Sequence, residues 1–308
     1  MTHDEKLAAI LAAVQTDPGN RGLARDPDDN LFTATAGDFE RACRSMASAS
    51  LTRIGLLTGF YVPTANPPAF ETDGPLGSLF LAEVLRSLAY EPWIFLPSPC
   101  DAILERRGKL IGANVLSVPP STHPWFAFLA NDFAHARIGM SHLISIESVG
   151  PSWKDGRLYS MRGNDITDHS SPIYHFVDES NRLGCPHTIG IGDGGNELGM
   201  GCVPWATIAR NIPNGELIAC RVPTDYLIVA GVSNWGAYAL AAGLFVLLDR
   251  KPPADLFDPD RELAILEAMV RDGPLVDGVT GQQTATVDGL TWTEYSRPLL
   301  EIQRILDS

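Results

Sequence analysis

The 308-residue sequence is short of charge, and what it has runs one way. Lys and Arg number 23 against 37 Asp and Glu, a formal net charge of −14. That imbalance excludes the cationic surface needed to neutralise nucleic-acid phosphates or to read an anionic membrane. Cysteine is sparse and unpatterned. Cys43, Cys100, Cys185, Cys202 and Cys220 make no CxxC pair and are odd in number, which excludes a disulfide framework or a cysteine zinc site. Thiols serving as small core residues suit a reducing compartment, so the cytoplasm is expected. The first residues, Met1-Thr2-His3-Asp4-Glu5-Lys6, lack the basic start and apolar run of a signal peptide and lead into an N-terminal helix over 1–16. No repeat, low-complexity tract or linker interrupts the chain, which reads as one domain over 1–308.

One segment, 226–248, contains no charge at all. Its length would span a bilayer. Gly231, Ser233, Asn234 and Gly236 break it with turn chemistry, so a buried strand followed by a buried helix is expected and no membrane partner. Further short apolar runs stand at 53–62, 93–96, 114–118, 143–146, 188–191, 217–222 and 226–232. They are near-continuous rather than alternating, as in strands covered on both faces of a parallel sheet. Helical spacing fills most of the gaps: Leu81, Val84, Leu85 and Leu88 share a face in 77–90, and Asp258-Pro259 opens a later helix. The reading is a layered α/β/α fold with a mostly parallel sheet and its site at the carboxyl ends of the strands. The segment 272–290, with Asp277-Gly278 and Asp288-Gly289, reads as a functional loop or cap.

Glycine concentrates in Gly190-Ile-Gly-Asp-Gly-Gly-Asn-Glu-Leu-Gly-Met-Gly201, directly after an apolar run. The pattern G-x-G-x-x-G is present, but Asp193 inside it would repel a pyrophosphate. The next suitable acid, Glu216, precedes a strand instead of following one. No GK[ST] is present either, so no nucleotide cofactor is expected. A plain turn with Asn196 or Glu197 capping a helix is the structural alternative. Asp193 and Glu197 beside so little side-chain bulk suit a cation. Gly231-Val-Ser-Asn-Trp-Gly236 resembles a hydrolase elbow, yet its last glycine is one residue late and no histidine follows His187. Ser233 or Asn234 is expected to cap the following helix.

Other acids gather near strand ends: Glu71-Thr-Asp-Gly-Pro75, Glu147 after the run 143–146, and Asp165 and Asp168 with Arg162. Asp73 reads equally well as an N-cap with Pro75 in the first turn, and Arg162 as half of a surface ion pair. His135 and His142 read as ordinary histidines. Converging carboxylates need a cation or a shared proton. Mg²⁺ or Mn²⁺ fits oxygen donors better than zinc does.

Together these segments resemble the D-glutamate cyclase family, specifically its C-terminal cyclase-like domain. The matching stretches are Asp17-Pro-Gly-Asn-Arg-Gly22, Thr58-Gly-Phe-Tyr61, Glu71-Thr-Asp-Gly-Pro75, Met161-Arg-Gly-Asn-Asp-Ile-Thr167, Gly190 to Gly201, Ala230-Gly-Val-Ser-Asn-Trp-Gly236 and Val287-Asp-Gly-Leu290. The resemblance implies conversion of D-glutamate to 5-oxo-D-proline and water. Longer members carry a large additional N-terminal domain for which this chain has no room. The architecture is also similar to metal-dependent phosphoesterases, so a Mn- or Mg-dependent phosphatase stands as the alternative and a non-catalytic sensor of an acidic metabolite as the third reading. Cyclisation needs a neutral amine, an electrophilic γ-carboxyl group and a protonated leaving oxygen. Glu71, Asp73, Asp193 and Glu197 are the candidates for proton transfer; Glu147, Asp165, Asp193 and Glu197 for holding a divalent metal. Arg162, with Asn196, Ser233 and Asn234, is the candidate set for binding a small acidic substrate. Self-association stays open.

Overall fold

Six of the apolar runs pair as one parallel sheet in a computed structural model that describes residues 1–97, 112–119, 139–273 and 275–308. Its strands are β1 (Arg53–Thr58), β4 (Glu91–Pro97), β5 (Asn114–Val118), β6 (Met140–Ile146), β7 (His187–Gly192) and β8 (Tyr226–Val229). A separate antiparallel pair, β2 (Tyr61–Val62) and β3 (Ala69–Phe70), lies between β1 and the helix Pro75–Ser87. The run expected at 53–62 therefore divides at Gly59, whose φ of 114° turns the chain out of the sheet.

Helices cover both faces, giving the expected α/β/α layers. Ile54, Leu56, Ile144, Ile146, Ile189, Ile191 and Ile228 point into one core cluster with the helices His3–Val14, Asp38–Ala47, Pro75–Ser87, Ser233–Leu247 and Arg297–Asp307. Leu57, Leu143, Leu227 and Val229 point the other way, onto Phe176, Val177 and Ile208 of the helices Tyr174–Leu183 and Trp205–Asn211. The period-two side-chain alternation of a strand thus sorts residues between two cores rather than between core and water. The uncharged stretch divides as expected into β8 and the buried helix Ser233–Leu247. Among the described residues no helix is long and apolar enough to cross a membrane.

The run at 217–222 is not a strand. Gly215–Ile218 is a helical turn entered through Asn214 at φ 58°, and Cys220 makes only an isolated bridge with Ser152. Ile218, Ala219, Cys220 and Val222 are apolar because they pack beneath the second face of the sheet. Burial without strand pairing produces the same sequence signal. His135 and Cys100 lie outside the described residues, whereas His142 is buried in β6 with Nε2 at 3.0 Å from Ser45 Oγ.

The sheet order is β5-β4-β1-β6-β7-β8. From β1 the chain winds outward through β4 to β5, then returns to the other side of β1 for β6. This is the doubly wound order that opens a crevice at the carboxyl ends of the two central strands. The glycine-rich segment follows β7, the fifth strand of the sheet in chain order, rather than the first, where a dinucleotide fold carries its phosphate loop.

Candidate active site

Glu147 leaves the end of β6 at the switch point with φ at 46°, a left-handed conformation unusual for a side chain of its size. Its carboxylate is buried and accepts a 2.6 Å hydrogen bond from Ser233 Oγ. Asp193 directly follows the end of β7, and its loop is held by Glu197, whose carboxylate accepts from the N–H groups of Asp193 (3.2 Å) and Gly195 (2.8 Å). The glycines are there for close packing: a Cβ at Gly190 would stand 2.6 Å from Leu198 O, so only bare backbone lets the loop fold back on its strand.

Two helices begin beside this loop, and their ends are capped crosswise. Asp73 accepts from the N–H groups of Ser233 (3.0 Å) and Asn234 (2.8 Å) at the start of Ser233–Leu247. Asn234 Oδ1 in turn accepts from those of Gly74 (2.9 Å) and Gly77 (2.7 Å) at the start of Pro75–Ser87. The expected caps are thereby corrected. Asp73 does not cap the helix that follows it, since Gly74 holds that position; Ser233 and Asn234 lie within the first turn, after Val232. No helix starts at Asn196 or Glu197, and Glu197 caps its own loop.

A seventh polar participant arrives from the N-terminal segment. Asp17 accepts from the backbone N–H groups of Arg21, Gly22 and Leu23, closing a loop that delivers the Arg21 side chain across the strand ends. The guanidinium forms ion pairs with Asp193 and, at 2.8 Å, with Asp288 of the C-terminal segment. Arg21, Glu71, Glu147, Asp193, Asn196 and Asp288 share the wall of a cavity of about 120 Å³ with Phe60, Tyr61, Arg162 and Val279.

Six buried carboxyl groups thus surround one guanidinium, and burial with mutual repulsion decides their proton affinity. Burial raises Glu71 well above the ordinary carboxyl range, with Asp288, Asp73 and Asp193 adding to it. Glu147 is raised in the same way by burial and by Asp193 and Glu197, and Asp73 by burial, Asp288 and Asp193. Burial lifts Asp193 to about 6 and Asp288 to about 7 although Arg21 pulls both down. Glu197 is raised by burial, with its N–H bonds opposing. Burial works against the charge on Arg21, but Asp193, Asp288 and Glu147 outweigh it. One oxygen each from Glu147, Asp193 and Glu197 lies within 4.8 Å of the others, and the same holds for Asp73, Asp193 and Asp288. Hard oxygen donors at that spacing match the first shell of a divalent cation.

The whole of this arrangement lies within a stretch, residues 10–303, that matches the family model described as D-glutamate cyclase-like, C-terminal. The chain belongs to the D-glutamate cyclase-like family. It is also 31% identical over 252 residues to the human protein D-glutamate cyclase, mitochondrial. That match covers 79% of this chain and 39% of the human protein, so the chain corresponds to well under half the length of its curated relative. Neither comparison supports the phosphatase alternative.

Within this family member, the structure gathers most of the expected site residues and leaves others out. Glu71, Glu147, Asp193 and Asn196 face the cavity, while Asp73, Glu197, Ser233 and Asn234 support it from behind. Asp165 is not in the cluster: it is exposed, pairs with Arg157 and accepts from Thr167. Asp168 is exposed as well. Arg162 reaches the cavity but is exposed and donates to Val279 O. Arg21 and Asp288 fall inside family-matching stretches, but neither is among the candidate site residues read from the sequence. Their signal was the motifs Asp17-Pro-Gly-Asn-Arg-Gly22 and Val287-Asp-Gly-Leu290 rather than any local pattern of charge.

Proposed function

We propose that the protein cyclises D-glutamate to 5-oxo-D-proline with release of water. The observation that carries this reading is a family match to D-glutamate cyclase spanning a cavity lined by buried carboxyl groups. Cyclisation forms a bond from the amine nitrogen to the γ-carboxyl carbon and breaks one C–O bond. The ammonium group must give up two protons, one before attack and one after, and the departing oxygen takes both to leave as water. Net charge is unchanged, so the protons need only move across the cavity.

The walls suit that transfer. Asp288 Oδ2 is buried and takes no hydrogen bond, which leaves it free to accept the ammonium proton. Glu71, its proton affinity raised well above the ordinary carboxyl range by burial, donates toward the γ-carboxylate, reducing the negative charge that resists attack. Arg162, exposed at the cavity and tethered only through a backbone carbonyl, is the group to meet the α-carboxylate. Glu147, Asp193 and Glu197 would hold a divalent cation, Mg²⁺ or Mn²⁺ by donor type; when bound it would offset negative charge on the reacting carboxylate.

The test is incubation of purified protein with D-glutamate, L-glutamate and a generic phosphoester, with Mn²⁺ or with EDTA, and quantification of 5-oxoproline and phosphate. Formation of 5-oxoproline from D-glutamate, lost in EDTA, is expected. Phosphate release without 5-oxoproline would sink the reading, and thermal stabilisation by D-glutamate without turnover would replace it with a sensor.

A further inference from the structure

The two carboxylate sets share Asp193 but differ in what occupies them. The set of Asp73, Asp193 and Asp288 already contains a cation, because Arg21 pairs with two of its three members. The set of Glu147, Asp193 and Glu197 has only the Arg21 contact on Asp193; its other acids accept from Ser233 Oγ and from loop N–H groups. We infer that Arg21 is a resident counter-ion occupying the position of a second divalent metal, so that this centre takes one ion where the carboxylates alone would take two. The inference rests on the proposed metal site and goes beyond it by fixing the number of ions and the residue that sets it.

Three observations carry it. The guanidinium is largely buried, with 13% of its side chain exposed, so it is built into the site rather than swinging in from solvent. Its loop is preorganised by the three N–H bonds to Asp17 and by donation from Nη1 to Gly231 O at 3.4 Å. Two buried acceptors facing the same cavity, Asp288 Oδ2 and Asn196 Oδ1, take no hydrogen bond, so acceptor capacity exceeds what one arginine satisfies. A guanidinium and a dication are alternative solutions to the same repulsion, but only the guanidinium is covalently held and cannot be chelated away.

Mn²⁺ titration by calorimetry, with electron paramagnetic resonance to detect coupled pairs of ions, tests this on the full chain. The wild type is expected to bind one ion. Arg21→Met, which keeps the length of the side chain and removes its charge, is expected to bind two with a coupled signal. Arg21→Lys, which retains a charge, should bind one. Asp288→Asn leaves Arg21 in place, dismantles the second set, and should still bind one ion with an affinity within about threefold of wild type. The last variant keeps the test decisive even where Arg21→Met fails to fold. Two ions in the wild type, one in Arg21→Met, or loss of the ion in Asp288→Asn each overturn the inference. No ion in the wild type overturns the metal reading beneath it, and with it the inference.

Discussion

Asp193 and Asp165 each sit in direct contact with one arginine, Arg21 and Arg157 respectively, and their proton affinities move in opposite directions. Hydrogen bonds from Thr167 and the Arg157 pair pull exposed Asp165 down to about 2. Asp193, under an equally close guanidinium, rises to about 6 because burial and Glu197 outweigh Arg21. An ion pair therefore says little about a carboxylate until its solvent and its other neighbours are counted. Near the surface, water and the partner act together; at the strand ends, lost water and further acids oppose the partner.

The strongest way to press that comparison is to neutralise each acid. Asp193→Asn removes the member shared by both carboxylate sets, and production of 5-oxoproline is expected to fall by at least about 100-fold, on the order of losses from single transition-state contacts. Asp165→Asn should leave turnover within about twofold. An Asp165 variant as inactive as the Asp193 variant would return the exposed acid to the site.

Next in size is the scaffold beneath the buried acids. Asn234→Ala orphans the N–H groups of Gly74 and Gly77, and a loss of about 2–4 kcal/mol in stability is expected from denaturant unfolding. A loss below about 0.5 kcal/mol would show that water replaces the cap.

Proton linkage gives a smaller and reversible effect. The folded-state affinities of Asp193 and Asp288, about 6 and about 7, exceed the ordinary 3.8. Folded protein thus holds protons that the unfolded chain releases. Their stabilising contribution is complete below about pH 4 and is lost as pH rises through 7. The melting temperature of EDTA-treated protein should accordingly fall between pH 5 and about 7.5 through these groups, and millimolar Mn²⁺ should reduce that slope. Slopes equal with and without Mn²⁺ would argue against a cation among these acids. The smallest effect belongs to the exposed pair: Asp165→Asn should shift the melting temperature by less than about 2 °C, measured in low salt where such pairs count most.

The sequence carried the buried half of that comparison better than the exposed half. Glu147 and Asp193 were readable because each directly follows an apolar strand, and open α/β sheets place ligands there. Asp165 looked equivalent because it stands in a polar family-matching stretch beside Arg162, but no strand precedes it and the fold leaves it in solvent. Arg21 and Asp288 meet from opposite ends of the chain, and their encounter depends on loop closures at Asp17 and Asp277 that no spacing rule describes. The parallel sheet was legible from its apolar runs, whereas 217–222 misled because packing under a sheet and pairing within it select the same residues.

The crosswise caps have a mechanical consequence. Asp73 and Asn234 tie the first turns of two buried helices to one another, so neither helix can slide along its axis without breaking hydrogen bonds sealed from water. The floor of the cavity is therefore a fixed template. The rim is held differently: there Arg162 latches to the carbonyl of Val279 by a bond open to solvent.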